Sequence, residues 1–167
     1  MSTPASGAPG VHVAPIEVRQ LAETDLPQLR ELLDLFGQAF DEVATYSAAQ
    51  PNDAYLLRLL RGEHFIAIAA LDGSRVVGGL AAYVLPKFEQ ARSECYIYDL
   101  AVDADHRRRG IARTMIRHLQ MLATERGIYV IFVQADHGDD PAIALYQSLG
   151  VREEVLHFDI APLPQRP

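Results

Sequence analysis

The stretch His106–Ala112, HRRRGIA, places three consecutive arginines directly ahead of a glycine. The whole chain carries a formal charge of −7, so this cationic run stands on an acidic background. It lies where a strand-like segment gives way to a helix-like one. Such a junction offers unpaired backbone N–H groups and the positive end of a helix dipole, which together hold phosphate. Gly110 would let the backbone approach an anion with no Cβ in the way. Ala112 keeps the first turn slim, and Arg107, Arg108 and Arg109 supply donors for charge-assisted bonds. A pyrophosphate seated on a helix N-terminus is one reading. A solvated basic loop with a glycine for its turn is the other, and spacing alone does not separate them. The GxxxxGK of a Walker loop and the GxGxxG of a dinucleotide site are both absent. A nucleic-acid patch would need interleaved aromatics and a broad basic face, which this acidic chain lacks.

The carboxylates form a second group of candidates. In YIYDLAV, strand alternation puts Ile97, Asp99 and Ala101 on one face. A carboxylate among apolar neighbours must be paired or functional. Asp99 either holds or deprotonates a substrate ammonium, or accepts backbone bonds from a neighbouring loop. Asp136, Asp139 and Asp140 cluster after a strand-like segment, and Glu153 and Glu154 open the last one. A cleft lined by such acids attracts a polycation. The plainer alternatives are a helix cap at Asp139 or Asp140 and solvated surface acid elsewhere. Glu153 and Glu154 point to opposite faces, so at most one meets a given ligand. Glu89, beside Phe88 in PKFEQ, borders either a cleft or a plain loop. His106 and His137 fall into no zinc-ligand spacing, so no metal site is expected, and His106 is expected at the surface. Cys95, the only cysteine, reads as a core residue rather than a nucleophile.

The elements that must position these groups follow from periodicity. PIEVRQL reads as a first strand, and Thr24 stands where a helix N-cap belongs, ahead of helically spaced Leu26, Leu29, Leu32, Leu33 and Phe36. NDAYLLRLL is a second, shorter helix. HFIAIAAL and RVVGGLAAYVL flank the turn DGS as a hairpin covered on both faces. SECYIYDLAV is a strand, GIARTMIRHLQMLATERG an amphipathic helix, IYVIFVQA a buried strand and DPAIALYQSLG a helix. REEVLHFDI alternates and is expected as a last strand. The fold class is therefore α/β with a mixed sheet.

With 167 residues, 49% of them apolar, one domain with a real core is expected over residues 13–161. Residues 1–12 read as a disordered leader without the marks of a secretory signal, and residues 162–167 as a flexible tail. No membrane span and no disulfide are indicated, which fits a cytoplasmic protein. The acidic balance suits a cationic partner.

LAVDADHRRRGIA resembles the acetyl-coenzyme A motif of the GCN5-related N-acetyltransferase superfamily, with Arg107, Gly110 and Ala112 at its pattern positions. PAIALYQSLGV resembles that superfamily's second hallmark, in the right order and at the right separation. YIYDLAV, YVIFVQADHGDDPAIALY, GGLAAYVLPKFEQARSE and REEVLHFDI together resemble the type I aminoglycoside 3-N-acetyltransferases, over roughly residues 36–160. His137 departs from the pattern where a tyrosine is expected. The resemblance implies a central sheet splayed between its fourth and fifth strands, with acetyl-CoA in the splay. The backbone at Leu100, Ala101 and Val102 would bond the pantetheine, the N–H groups from Arg107 through Ile111 to Ala112 would hold the pyrophosphate, and Ala142 belongs to the second hallmark. A backbone N–H near Val102 would stabilise the carbonyl oxygen. Tyr146, by pattern alone a core tyrosine, becomes the general acid toward the leaving sulfur. The implied activity is direct acetyl transfer to the 3-amine of an aminoglycoside by a homodimeric resistance enzyme, with no nucleic acid or membrane involved. Two other readings stand: transfer to another small amine, polyamine or protein amine, and an acyl-CoA-binding module without turnover.

Overall fold

A computed structural model describes residues 15–163. The expected leader and the tail beyond residue 163 lie outside these. The chain groups into two compact units, one ending at Gln134 and one beginning at Ala135.

The first unit is built on five strands: β1 (Glu17–Gln20), β2 (Phe65–Asp72), β3 (Arg75–Pro86), β4 (Ser93–Val102) and β5 (Ile128–Val133). They lie side by side in chain order. The pairs from β1 to β4 are antiparallel and β4–β5 is parallel, so the sheet is mixed as the sequence indicates. The helices are α1 (Leu26–Ala39), α2 (Val43–Tyr46), α3 (Asp53–Arg61) and α4 (Ile111–Glu125). β2 is apolar almost throughout because both its faces are covered. Phe65, Ala67, Ala69 and Leu71 join one core with Leu29, Leu32 and Phe36 of α1 and Leu56 of α3. On the opposite face, Ile111 and Met115 of α4 close over Gly78 of β3. Full burial of side chains such as Leu32, Phe36, Met115 and Leu119 stabilises by roughly 1.5–3 kcal/mol each. The backbone of β3 comes close to α1 at Gly79, where an added Cβ would fall 2.7 Å from Leu32.

Several local expectations change. Thr24 does not cap α1. Glu23–Asp25 forms a 3-10 turn and the helix begins at Leu26, with Pro27 in its first turn. Asp25 takes over the junction: it accepts the Ala22 N–H at 2.8 Å and both arms of the Arg19 guanidinium at 2.8 Å. A charge-assisted fork is stronger than the neutral bond a threonine hydroxyl would offer. The Arg19 fork, against a smaller opposing effect of burial, holds the Asp25 carboxyl below its ordinary range. The four-residue α2 leaves no mark in the sequence, because one helical turn is too short to show a periodicity.

The second unit holds α5 (Asp140–Gln147). Asp139 is its N-cap and accepts the Ala142 N–H at 3.2 Å, the capping role weighed from sequence. The expected last strand over residues 152–160 does not form: these residues adopt no regular secondary structure and are exposed, with Leu156, Phe158 and Ile160 each at least 75% accessible. Alternation specifies which face a strand would bury. It cannot supply the neighbouring edge, and among the described residues no ladder reaches this segment.

Candidate active site

β4 carries the centre of the site. Its pairing with β3 slips by one residue: Ala82 faces Ile97 and Ala81 faces Asp99, leaving Tyr98 as a bulge. Simple alternation is therefore corrected. Asp99 and Ala101 share the face covered by α1, while Ile97 turns to the α4 side. The bulge also brings the Tyr98 ring onto the face of its neighbours. Tyr98 meets Tyr83 edge-on at 5.7 Å and Tyr96 at 5.6 Å, and Tyr96 stacks on Phe132 at 4.9 Å. The result is a row of aromatic rings beside one carboxylate.

Asp99 has a partner that sequence reasoning missed. Tyr46 of α2 donates its hydroxyl to Asp99 Oδ1 at 2.8 Å. No spacing signal links two residues 53 positions apart, one of them on a helix too short to read. Burial pushes the Asp99 carboxyl above the ordinary carboxylate range. The Tyr46 bond opposes that shift, and the Glu42 charge adds to it. Burial, then the bond to Asp99, raises the Tyr46 phenol well above its usual value. A half-buried carboxylate that is less acidic than usual is suited to receive an ammonium or its proton.

The β4–β5 ladder ends at Ile97–Val133. Past the Tyr98 bulge, from Asp99 to Val102, the strand pairs only with β3, as Leu100 does with Leu80, Ala101 with Gly79 and Val102 with Gly78. Among the described residues, one side of β4 is thus an open edge, beginning one residue before Asp99. The chain then turns through Ala104–His106 into the basic run. Arg107 bends back so that its Nε donates to the Val102 carbonyl at 3.1 Å. A cleft of about 130 Å³ lies here, lined by Leu35, Gln38 and Ala39 of α1 together with Val102, Asp103, Ala104 and Arg107. Arg108 and Arg109 are exposed. The first N–H groups of α4 have no intrahelical acceptor, and the N-cap position supplies no side-chain one.

Gly110 is the N-cap of α4, at φ +79°. An added Cβ there would meet nothing within 4 Å. Glycine is required by the left-handed backbone rather than by crowding from the protein itself. Ile111 is buried against the sheet and Ala112 is partly exposed. His106 is not at the surface. It is buried, with Nδ1 2.9 Å from Asp103 and Nε2 3.4 Å from Asp72, so it ties the loop after β4 to the β2–β3 turn.

Within the first unit, Glu89 and Cys95 stand apart from this arrangement. Glu89 sits in the loop before β4 and pairs with Arg92 at 3.3 Å. That places it beyond the start of β4, which lies about 20 Å along the strand from Asp99. Cys95 is fully buried, and burial pushes its thiol up to about 11, as befits a core residue. Within the second unit, Asp136, His137, Asp140, Glu153 and Glu154 are exposed, and Glu154 pairs with Arg152 at 2.6 Å. Tyr146 on α5 is half-buried. Burial first, then the nearby Asp139 charge, raises its phenol above the ordinary value, so it is protonated at neutral pH.

An open strand edge leading to an uncapped, arginine-flanked helix N-terminus is the framework of an acyl-CoA-dependent transferase. The chain belongs to the acetyltransferase (GNAT) family, whose model matches residues 26–151. It is similar to an aminoglycoside acetyltransferase from an uncultured soil metagenomic sample, whose unknown active-site density was assigned as polyethylene glycol. The two share 55% identity over 89% of this chain and 99% of that one, with a TM-score of 0.87. A second aminoglycoside acetyltransferase from such a sample, solved with sisomicin, is 35% identical over 88% of this chain and 96% of that one, with a TM-score of 0.80. AAC(6')-Iy, solved with a bisubstrate analogue, shares the fold at 19% identity over 90% of this chain and all of that one, with a TM-score of 0.71. A search of curated proteins finds no match.

Proposed function

We propose that the protein transfers acetyl from acetyl-CoA directly to the 3-amine of an aminoglycoside. The observation that carries this reading is the position of Asp99, a half-buried carboxylate two residues past the last β4–β5 pair. Two similar proteins, at 55% and 35% identity, are aminoglycoside acetyltransferases, and one was solved with sisomicin bound.

The residues present fit acetyl-CoA. The open edge at Leu100, Ala101 and Val102 offers backbone groups to an extended pantetheine arm. Of the expected N–H groups, that of Arg107 turns to the Ala104 carbonyl at 3.5 Å, and those from Arg108 to Ala112, with the exposed guanidinium groups around them, suit a pyrophosphate. Bound there, acetyl-CoA supplies an activated thioester carbonyl. A backbone N–H near Val102 stabilises negative charge on the carbonyl oxygen. Asp99 holds the incoming ammonium and takes its proton, directly or through water, so that the amine nitrogen becomes nucleophilic. Tyr146 acts as general acid to the leaving sulfur, its phenol carrying the proton at neutral pH. Ala142 belongs to the same helix, whereas Asp139 is spent on its cap. Asp136, Asp140, Glu153, Glu154 and Glu89 add a diffuse negative field that draws in a polycation, and His137 offers an imidazole ring among them. The working form is a homodimer.

Thiol release from acetyl-CoA, measured with and without an aminoglycoside, tests the reading. Release that depends on the aminoglycoside and falls at least about 100-fold in Asp99→Asn supports it. Release that is indifferent to Asp99→Asn refutes the role of the carboxylate.

A further inference from the structure

The Asp99 carboxylate is held from one side. Tyr46 occupies Oδ1, and among the described residues no other hydrogen bond or ion pair reaches the group, leaving Oδ2 for a ligand. Tyr46 does not depend on this bond for its place. Its ring packs edge-on against Phe36 at 6.0 Å and tilted against Phe40 at 5.8 Å. α2 sits close on α1 at Gly37, where an added Cβ would lie 2.9 Å from Ser47 Oγ and 3.3 Å from Tyr46 Cβ. A core-anchored helix therefore presents one hydroxyl to one strand carboxylate.

We propose that Tyr46 is a positioning residue for Asp99: it fixes the carboxylate in one rotamer, with Oδ1 satisfied and Oδ2 presented to the substrate ammonium. The inference rests on the reading of Asp99 as the group that receives the amine. The titratable groups facing Asp99 are Glu42 ahead of α2, Tyr46 on α2, Tyr83 on β3, and Tyr96 and Tyr98 on β4. Only Tyr46 donates a hydrogen bond to it. Without that bond, burial and the Glu42 charge act unopposed and the carboxyl becomes a weaker acid.

Tyr46→Phe removes the hydroxyl and keeps the ring packing. The full-length variant is compared with the wild type in three ways: ¹³C NMR titration of aspartate carboxyls, kcat/KM for an aminoglycoside across pH, and thermal melting. The Asp99 resonance is identified by its loss in Asp99→Asn. The expected results are a higher Asp99 midpoint, an acid limb of kcat/KM displaced to higher pH in the same sense, and a loss of about tenfold or more in kcat/KM at neutral pH. A purely structural tyrosine would change melting without moving the Asp99 midpoint, and that result overturns the proposal. If Asp99→Asn acetylates normally, the reading of the carboxylate falls and the positioning role with it. If Asp99→Asn is impaired while Tyr46→Phe matches the wild type in midpoint and kcat/KM, only the role of Tyr46 falls.

Discussion

Gly110 separates the two ways a residue at the head of α4 can matter. Its φ of +79° lies in the left-handed region, and the space where a Cβ would project is empty to 4 Å. Gly110→Ala therefore meets no clash and bears only backbone strain, about 1–2 kcal/mol. Gly110→Glu bears the same strain, offset by about 0.3–1 kcal/mol because a carboxylate near a helix N-terminus is favourable. The two variants should melt within a few degrees of one another, both below the wild type. Their affinity for coenzyme A should diverge. A carboxylate about 5 Å from a bound pyrophosphate charge, at an effective dielectric constant of about 20, adds about 3 kcal/mol of repulsion. That is a loss of more than about 100-fold in Kd. Gly110→Ala keeps the N–H groups and the field, so it should bind close to the wild type. Calorimetric titration of coenzyme A into both variants, with melting curves alongside, reads the two effects separately. If Gly110→Glu binds coenzyme A as the wild type does, no pyrophosphate lies on this helix N-terminus and the phosphate reasoning is wrong.

Gly79→Ala drives a methyl into Leu32, itself fully buried, at 2.7–2.8 Å. It should cost about 1–3 kcal/mol, lowering the melting temperature by about 2–4 °C for each kcal/mol with an unchanged urea m-value. Stability equal to the wild type would show that α1 yields at this contact. Asp25→Ala leaves the Arg19 guanidinium and the Ala22 N–H without their acceptor and should cost about 2 kcal/mol at pH 7. The folded-state carboxyl is depressed, so this contribution is fully present above the unfolded value near about 4 and disappears as pH falls through the folded one. Melting curves of wild type and variant should therefore converge in acid, and a gap that persists to low pH would contradict the ion-pair explanation. Tyr146→Phe should lower kcat by about 100-fold with little change in coenzyme A affinity, whereas an unchanged kcat in steady-state assays would remove Tyr146 from the chemistry.

The parts of this site that were legible in the sequence are those whose signals are local. The strand at Ser93–Val102, the helix opening at Ile111 and the glycine between loop and helix can all be read from neighbours a few residues apart. So can the cap at Asp139, weighed beside Asp140. What could not be read depends on pairing. A bulge is a mismatch between two strands, so nothing in YIYDLAV alone announces that Tyr98 is skipped and that Asp99 parts from Ile97. Tyr46 reaches Asp99 across the fold from a helix of one turn. His106 looks like a surface residue beside arginines until the β2–β3 turn brings Asp72 to it. The segment at 152–160 shows the converse. Its alternation is clear, but a strand is a relation between two segments, and the pattern names only one of them.

The most direct test is acetylation of a gentamicin-type and a kanamycin-type aminoglycoside by the purified protein, with the acetyl group located by NMR. Acetyl on the 3-amine of either drug, formed in step with thiol release, is the predicted result. Acetyl at another amine would contradict the assigned position, and no product from either drug despite intact coenzyme A binding would contradict the aminoglycoside as acceptor.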